Sequence, residues 1–75
     1  MINVNRFNAA IALKGENRAD AARVMGINPA TLFRKIRGES DFYARQIELF
    51  CQHYEVAPTD IFFIKFDAQT HNNVG

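Results

Sequence analysis

Apolar side chains return every three or four positions along most of this chain, and residues with capping chemistry separate the runs. Val4, Phe7, Ala10 and Ile11 keep that spacing, extended by the aliphatic stem of Lys14. A first helix is therefore predicted, with Asn3 or Asn5 as its cap and Gly15 at its close. Asn17 is suited to cap a second helix whose apolar face, Ala21, Ala22 and Met25, is narrow and mostly of small side chains, which permits close approach by a neighbour. Gly26 can take the left-handed conformation that ends a helix. Asn28 followed by Pro29 restarts one, because proline at the first helical position lacks only an N–H that would have no helical partner there. In this third helix Leu32 and Ile36 stand four apart and share a face with Ile27, which directs them to the core. Glu39, Ser40 and Asp41 then form a polar loop that Phe42 anchors. A fourth helix is predicted from about Ala44 to Tyr54, with Ile47, Phe50, Cys51 and Tyr54 on one face and Arg45, Glu48 and Gln52 on the other. Val56 closes the core and Pro58 opens a last short helix. The pattern specifies an all-α fold, a compact bundle of about five short helices.

Between Asn17 and Gly38 the signals of helix, stop, cap and helix follow without spare residues, and the turn between the two helices is Gly26-Ile27-Asn28. With Leu32 and Ile36 inward, a rotation of about 100° per residue sets Ala30, Arg34 and Arg37 on the opposite face. Thr31 and Phe33 lie on its flanks and Lys35 nearer the edge. Such a face suits a DNA major groove: arginine reads guanine O6 and N7, small residues admit close approach, and methyl groups meet thymine. The plainer reading is an amphipathic helix with a solvated basic face. The turn, the caps and the basic face together favour a helix-turn-helix.

The residues Gly26-Ile27-Asn28-Pro29-Ala30-Thr31-Leu32-Phe33-Arg34-Lys35-Ile36-Arg37-Gly38 also resemble the helix-turn-helix of the lambda-repressor/Cro-like DNA-binding domains, nearest to small phage-type repressors. The resemblance spans roughly residues 4 to 64. It implies a five-helix transcriptional regulator that binds double-stranded DNA, usually as a homodimer on a pseudo-palindromic operator. By position, Pro29, Ala30, Thr31 and Arg34 sit where the family reads bases, and Phe33 joins them from the flank of the same face. Arg18 sits where the family often has a phosphate-contacting glutamine. Asn28, Lys35, Arg37 and Ser40 complete the expected phosphate contacts. The chain departs from many relatives at Pro29, which has neither a polar side chain nor an N–H, and at Ala30, which offers only a methyl group.

Composition narrows the alternatives. A chain of 75 residues with 48% hydrophobic content can build one small core. Its single cysteine, Cys51, excludes an intramolecular disulfide. Two histidines, His53 and His71, do not assemble a four-ligand zinc set of the usual spacing, so no metal or other cofactor is expected. Cys51 reads as a small hydrophobe of the core face, with no cation or histidine placed to activate it. No serine–histidine–acid set, paired carboxylates or phosphate-cradling glycine loop appears, which gives no support for an enzyme. Neither a secretory signal nor a membrane-spanning stretch is evident, so a cytoplasmic location is expected, with no small-molecule ligand indicated.

The net charge of +1 hides an asymmetry. Residues 1–38 carry seven lysines and arginines against two carboxylates, a net of +5, whereas residues 39–75 carry two against six, a net of −4. One phosphate-facing side and one solvated or partner-facing side would produce this, as would chance clustering in a short chain. Arg18, at a helix N-terminus whose N–H groups already favour an anion, adds to the first side unless it is simply solvated.

The run Ile61-Phe62-Phe63-Ile64-Lys65-Phe66 is the most apolar in the chain. Ile61 and one of the two phenylalanines are expected to finish the monomer core. The remainder either pairs with a second copy, making Ile61, Phe62, Phe63, Ile64 and Phe66 a dimerisation surface, or folds back over its own core. Residues 67–75 read as a loose polar tail behind a single domain of residues 1–66. The function expected is sequence-specific regulation of transcription through double-stranded DNA. The alternative is a protein-interaction module on the same fold, as an antirepressor or adaptor would be.

Overall fold

The computed structural model describes residues 2–62, which form five α-helices: α1 (Val4–Leu13), α2 (Arg18–Met25), α3 (Pro29–Ile36), α4 (Ala44–Tyr54) and α5 (Pro58–Ile61). The fold is a compact all-α bundle. The boundary expected at residue 66, and the tail after it, lie outside the described residues.

Local chemistry sets each helix start. Asn3, rather than Asn5, caps α1 by accepting the Arg6 N–H at 3.1 Å. At α2 the cap is reciprocal: Asn17 Oδ1 accepts the Asp20 N–H at 3.0 Å, and the Asp20 carboxylate accepts the Asn17 N–H at 2.9 Å. Two otherwise unpaired donors are satisfied at once. Asn28 Oδ1 accepts the Thr31 N–H at 2.8 Å, with Pro29 in the first turn of α3. Before α4, the Tyr43 N–H donates to Gln46 Oε1 at 2.9 Å, which draws Gln46 into a buried position that its polarity did not suggest.

The helix ends are equally local. Gly26 closes α2 at φ 75°, and the following Ile27 N–H donates back to the Ala22 carbonyl at 3.0 Å. This left-handed residue followed by Asn28 produces the sharp reversal between α2 and α3. At the end of α4 the same region of backbone space is taken by Glu55, at φ 58°.

The core is largely aromatic. Phe7 of α1 stacks on Phe50 of α4 with ring centroids 4.6 Å apart, and Phe62 meets Phe50 edge-on at 5.8 Å. Leu32 and Ile61 are fully buried beside them. Offset stacks and edge-on pairs both suit ring quadrupoles, and such rings remove large apolar areas from water. Ala21 and Ala22 are completely covered, and α2 packs chiefly on α4 and α3, as a face of small side chains allows. Ile27, Ile36, Phe42, Ile47 and Val56 close over this core while only partly buried.

The end of α5 is tied to the start of the chain. The Asn3 N–H donates to the Ile61 carbonyl at 2.7 Å, and Ile2 forms an isolated antiparallel bridge with Phe62. Ile61 and Phe62 are 2% and 3% exposed. They finish the core of their own chain, so neither offers a surface for dimerisation. Phe63, Ile64 and Phe66 lie outside the described residues.

Candidate nucleic-acid interface

Buried Leu32 holds α3 against the core, with partly buried Ile27 and Ile36 to either side. The opposite face is exposed. Ala30, Phe33, Arg34 and Arg37 stand in solvent and Thr31 is half-covered, so the rotation inferred from the sequence holds for these five, and Pro29, placed by resemblance, is exposed as well. Phe33 is 50% exposed, a large apolar ring left outside the core.

The cations differ in their commitments. Among the described residues, no carboxylate lies within ion-pair distance of Arg34. Its guanidinium keeps five N–H donors on a fork suited to paired acceptors. Arg37 is held instead, with Nε 3.2 Å from the Glu39 carboxylate and its guanidinium carbon 5.3 Å from the centre of the Phe33 ring. Both partners are exposed, so an incoming phosphate can displace Glu39 at small cost. Arg18, half-buried, donates from Nε to Asn8 Oδ1 on α1 at 3.1 Å. That contact holds the side chain at the N-terminus of α2, and no carboxylate among the described residues lies within ion-pair distance of its guanidinium.

Lys35 departs from expectation. It is 5% exposed, and its ammonium donates at 2.7 Å to the Asp41 carbonyl while lying 4.4 Å from the centre of the Tyr43 ring. It is not available to a phosphate. The reason is visible in hindsight in the periodicity: Leu32, Lys35 and Ile36 stand at i, i+3 and i+4, the spacing of a buried stripe. The long stem is covered while the charged head reaches groups that satisfy it, a loop carbonyl and an aromatic face. Asn28 is exposed at the start of α3, with its Oδ1 already used as a cap, and Ser40 is exposed in the loop that follows the helix.

One cluster escaped the sequence reading. The Glu16 carboxylate, in the turn between α1 and α2, accepts a 2.8 Å hydrogen bond from the Tyr54 hydroxyl and lies 3.1 Å from His53 Nε2, both on α4. The Tyr54 hydroxyl, and after it the His53 ring, holds the Glu16 carboxyl below its ordinary value. Burial, helped by the Glu16 charge, pushes the Tyr54 phenol well above its ordinary value. The cluster fastens the turn that precedes Arg18 to the core helix. No local pattern could reveal contacts between residues 37 and 38 positions apart.

Cys51 lies on the inward side of α4 as expected, and burial raises its thiol pKa. Among the described residues no group of histidine, cysteine and carboxylate side chains is arranged to hold a metal ion, and no helix is long and apolar enough to cross a membrane. No family model matches the chain, and neither a curated protein nor a solved structure matches it.

Proposed function

We propose that this protein binds double-stranded DNA by laying the outward face of α3 in the major groove, and that it regulates transcription in the cytoplasm as a repressor of the phage or mobile-element type. The observation that carries this reading is Arg34. It stands exposed and without a described carboxylate partner on a helix whose other outward residues are Pro29, Ala30, Thr31, Phe33 and Arg37. Arg34 would donate to guanine O6 and N7, Ala30 and Thr31 would allow close approach and contact thymine methyls, and Arg18, Asn28, Arg37 and Ser40 would hold phosphates.

A single helix reads only about four to six base pairs, so two copies on half-sites about 34 Å apart supply the length of site that a genome requires. The test is selection of bound sequences from a random duplex pool, followed by titration of the winner. Affinity should fall steeply between about 50 and 200 mM salt as phosphate contacts release counterions. Failure to enrich any sequence, with no binding to duplex at low salt, would turn the reading towards the protein-interaction module.

A further inference from the structure

Phe33 has no part in the guanine and phosphate contacts proposed above, yet it is the large apolar side chain that the outward face of α3 leaves in water, at 50% exposure. Ala30, Phe33 and Arg37 follow one another at i, i+3 and i+7, so they form one edge of that face. All three are exposed. A long side chain on a helix leans towards the helix N-terminus, which directs the Phe33 ring to the first turn of α3, where Pro29 and Ala30 stand in solvent. In a helix-turn-helix this is the end of the second helix that meets base edges. Neither Pro29 nor Ala30 carries a side-chain donor or acceptor, so with Phe33 they make that end of α3 apolar beside the donors of Arg34.

The ring is also restrained. The Arg37 guanidinium carbon lies 5.3 Å from its centre, and Arg37 Nε is itself held 3.2 Å from the Glu39 carboxylate. A ring steadied by a cation loses less freedom on binding than a free one.

The floor of the major groove offers one apolar group, the C5 methyl of thymine, among hydrogen-bond donors and acceptors. A phenyl ring set against the amino group of cytosine or adenine would strand a donor, which costs affinity. On the DNA-binding reading of α3, on which this inference rests, we propose that Phe33 is a specificity-determining residue that reads the C5 methyl group of a thymine. Adjacent Cα atoms and successive base pairs have similar spacings, so this thymine lies about one or two base pairs from the guanine taken by Arg34.

The test uses the full-length protein and the duplex that wins selection from the random pool. Each thymine of one half-site is replaced in turn by deoxyuridine, which removes the methyl group and nothing else, and the wild type, Phe33→Ala and Phe33→Leu are titrated on every duplex. The guanine is located by the base pair at which Arg34→Ala loses preference. Burial of one methyl group is worth about fourfold in affinity, so deoxyuridine at one position near that guanine should weaken the wild type by about fourfold. Phe33→Ala should bind the thymine and deoxyuridine duplexes equally, and Phe33→Leu should still prefer thymine. Tight wild-type binding that is indifferent to deoxyuridine throughout, or a winning half-site with no thymine near the guanine, would overturn the role of Phe33 and leave DNA binding standing. A Phe33→Ala protein that keeps the preference at that position would overturn it too, because the methyl group would then meet another side chain. If Phe33→Ala loses helix content by circular dichroism, Phe33→Gln takes its place under the same criterion, since it keeps the stem without an apolar tip. If the wild type enriches no sequence and binds no duplex at low salt, the DNA-binding reading fails and this inference with it.

Discussion

Lys35 and Asp41 are joined by a 2.7 Å hydrogen bond from the Lys35 ammonium to the Asp41 backbone carbonyl, which ties the loop before α4 back onto α3. A cation placed by its sequence among DNA contacts is thereby a fastening between two elements. Tyr43 adds its ring face at 4.4 Å, so the head is satisfied from two sides while the stem is covered.

Replacing Lys35 by methionine keeps the stem but removes the donor. The variant should lose about 1 kcal/mol of stability in urea denaturation, while the salt dependence of its binding to random duplex stays that of the wild type. Arg18→Ala and Arg37→Ala should each flatten that dependence by about one unit in log–log slope. A slope for Lys35→Met as shallow as theirs would mean that Lys35 leaves the loop for a phosphate.

Arg34→Ala should weaken binding to the best selected site by about 1–3 kcal/mol and relax the preference at one base pair, because a bidentate guanine contact is lost. Since Arg34 is exposed, the folded state should be unaffected. Titration against a panel of single-base variants checks this, and a uniform loss across the panel would place Arg34 on the backbone.

The Glu16 cluster makes stability depend on acid. The Tyr54 and His53 hydrogen bonds depress the carboxyl pKa in the folded state relative to 4.5 for the free group. The unfolded chain therefore binds the proton first as pH falls, and the stabilisation, complete well above pH 4.5, drains away below it through the depressed folded value. Melting temperature followed downward from neutral pH should fall less steeply in Glu16→Gln than in the wild type. Parallel curves would show that the carboxylate contributes nothing specific.

Glu55→Gly should stabilise the protein by about 0.5–1 kcal/mol. Glu55 holds φ 58° at the end of α4, where a side chain strains a backbone that glycine adopts freely, and the gain is reduced by glycine's greater freedom in the unfolded chain. Loss of the exposed 3.6 Å ion pair with Lys14 subtracts little. Thermal and urea denaturation give the sign, and a destabilised variant would show that the Lys14 pair outweighs the strain.

By itself the sequence determined what short-range chemistry controls. Asn17, Gly26, Asn28 and Pro29 act within a turn or two of backbone, and they start and stop α2 and α3 at the places their side chains dictate. Periodicity likewise settled the limits of α4 and the outward rotation of Ala30, Phe33, Arg34 and Arg37, because the angle per residue is a property of the helix and not of its surroundings. Tertiary structure alone decided the rest. Lys35 turned inward because the Asp41 carbonyl and the Tyr43 ring converge on it, and Glu16 found His53 and Tyr54 only when α4 folded against the turn before α2. The sequence expected one phenylalanine to join Ile61 in the core, and the arrival of Ile2 and Asn3 made Phe62 a buried one. These outcomes depend on which distant groups meet, and burial is shared among all the elements that close over a side chain; no window of neighbouring residues contains that information.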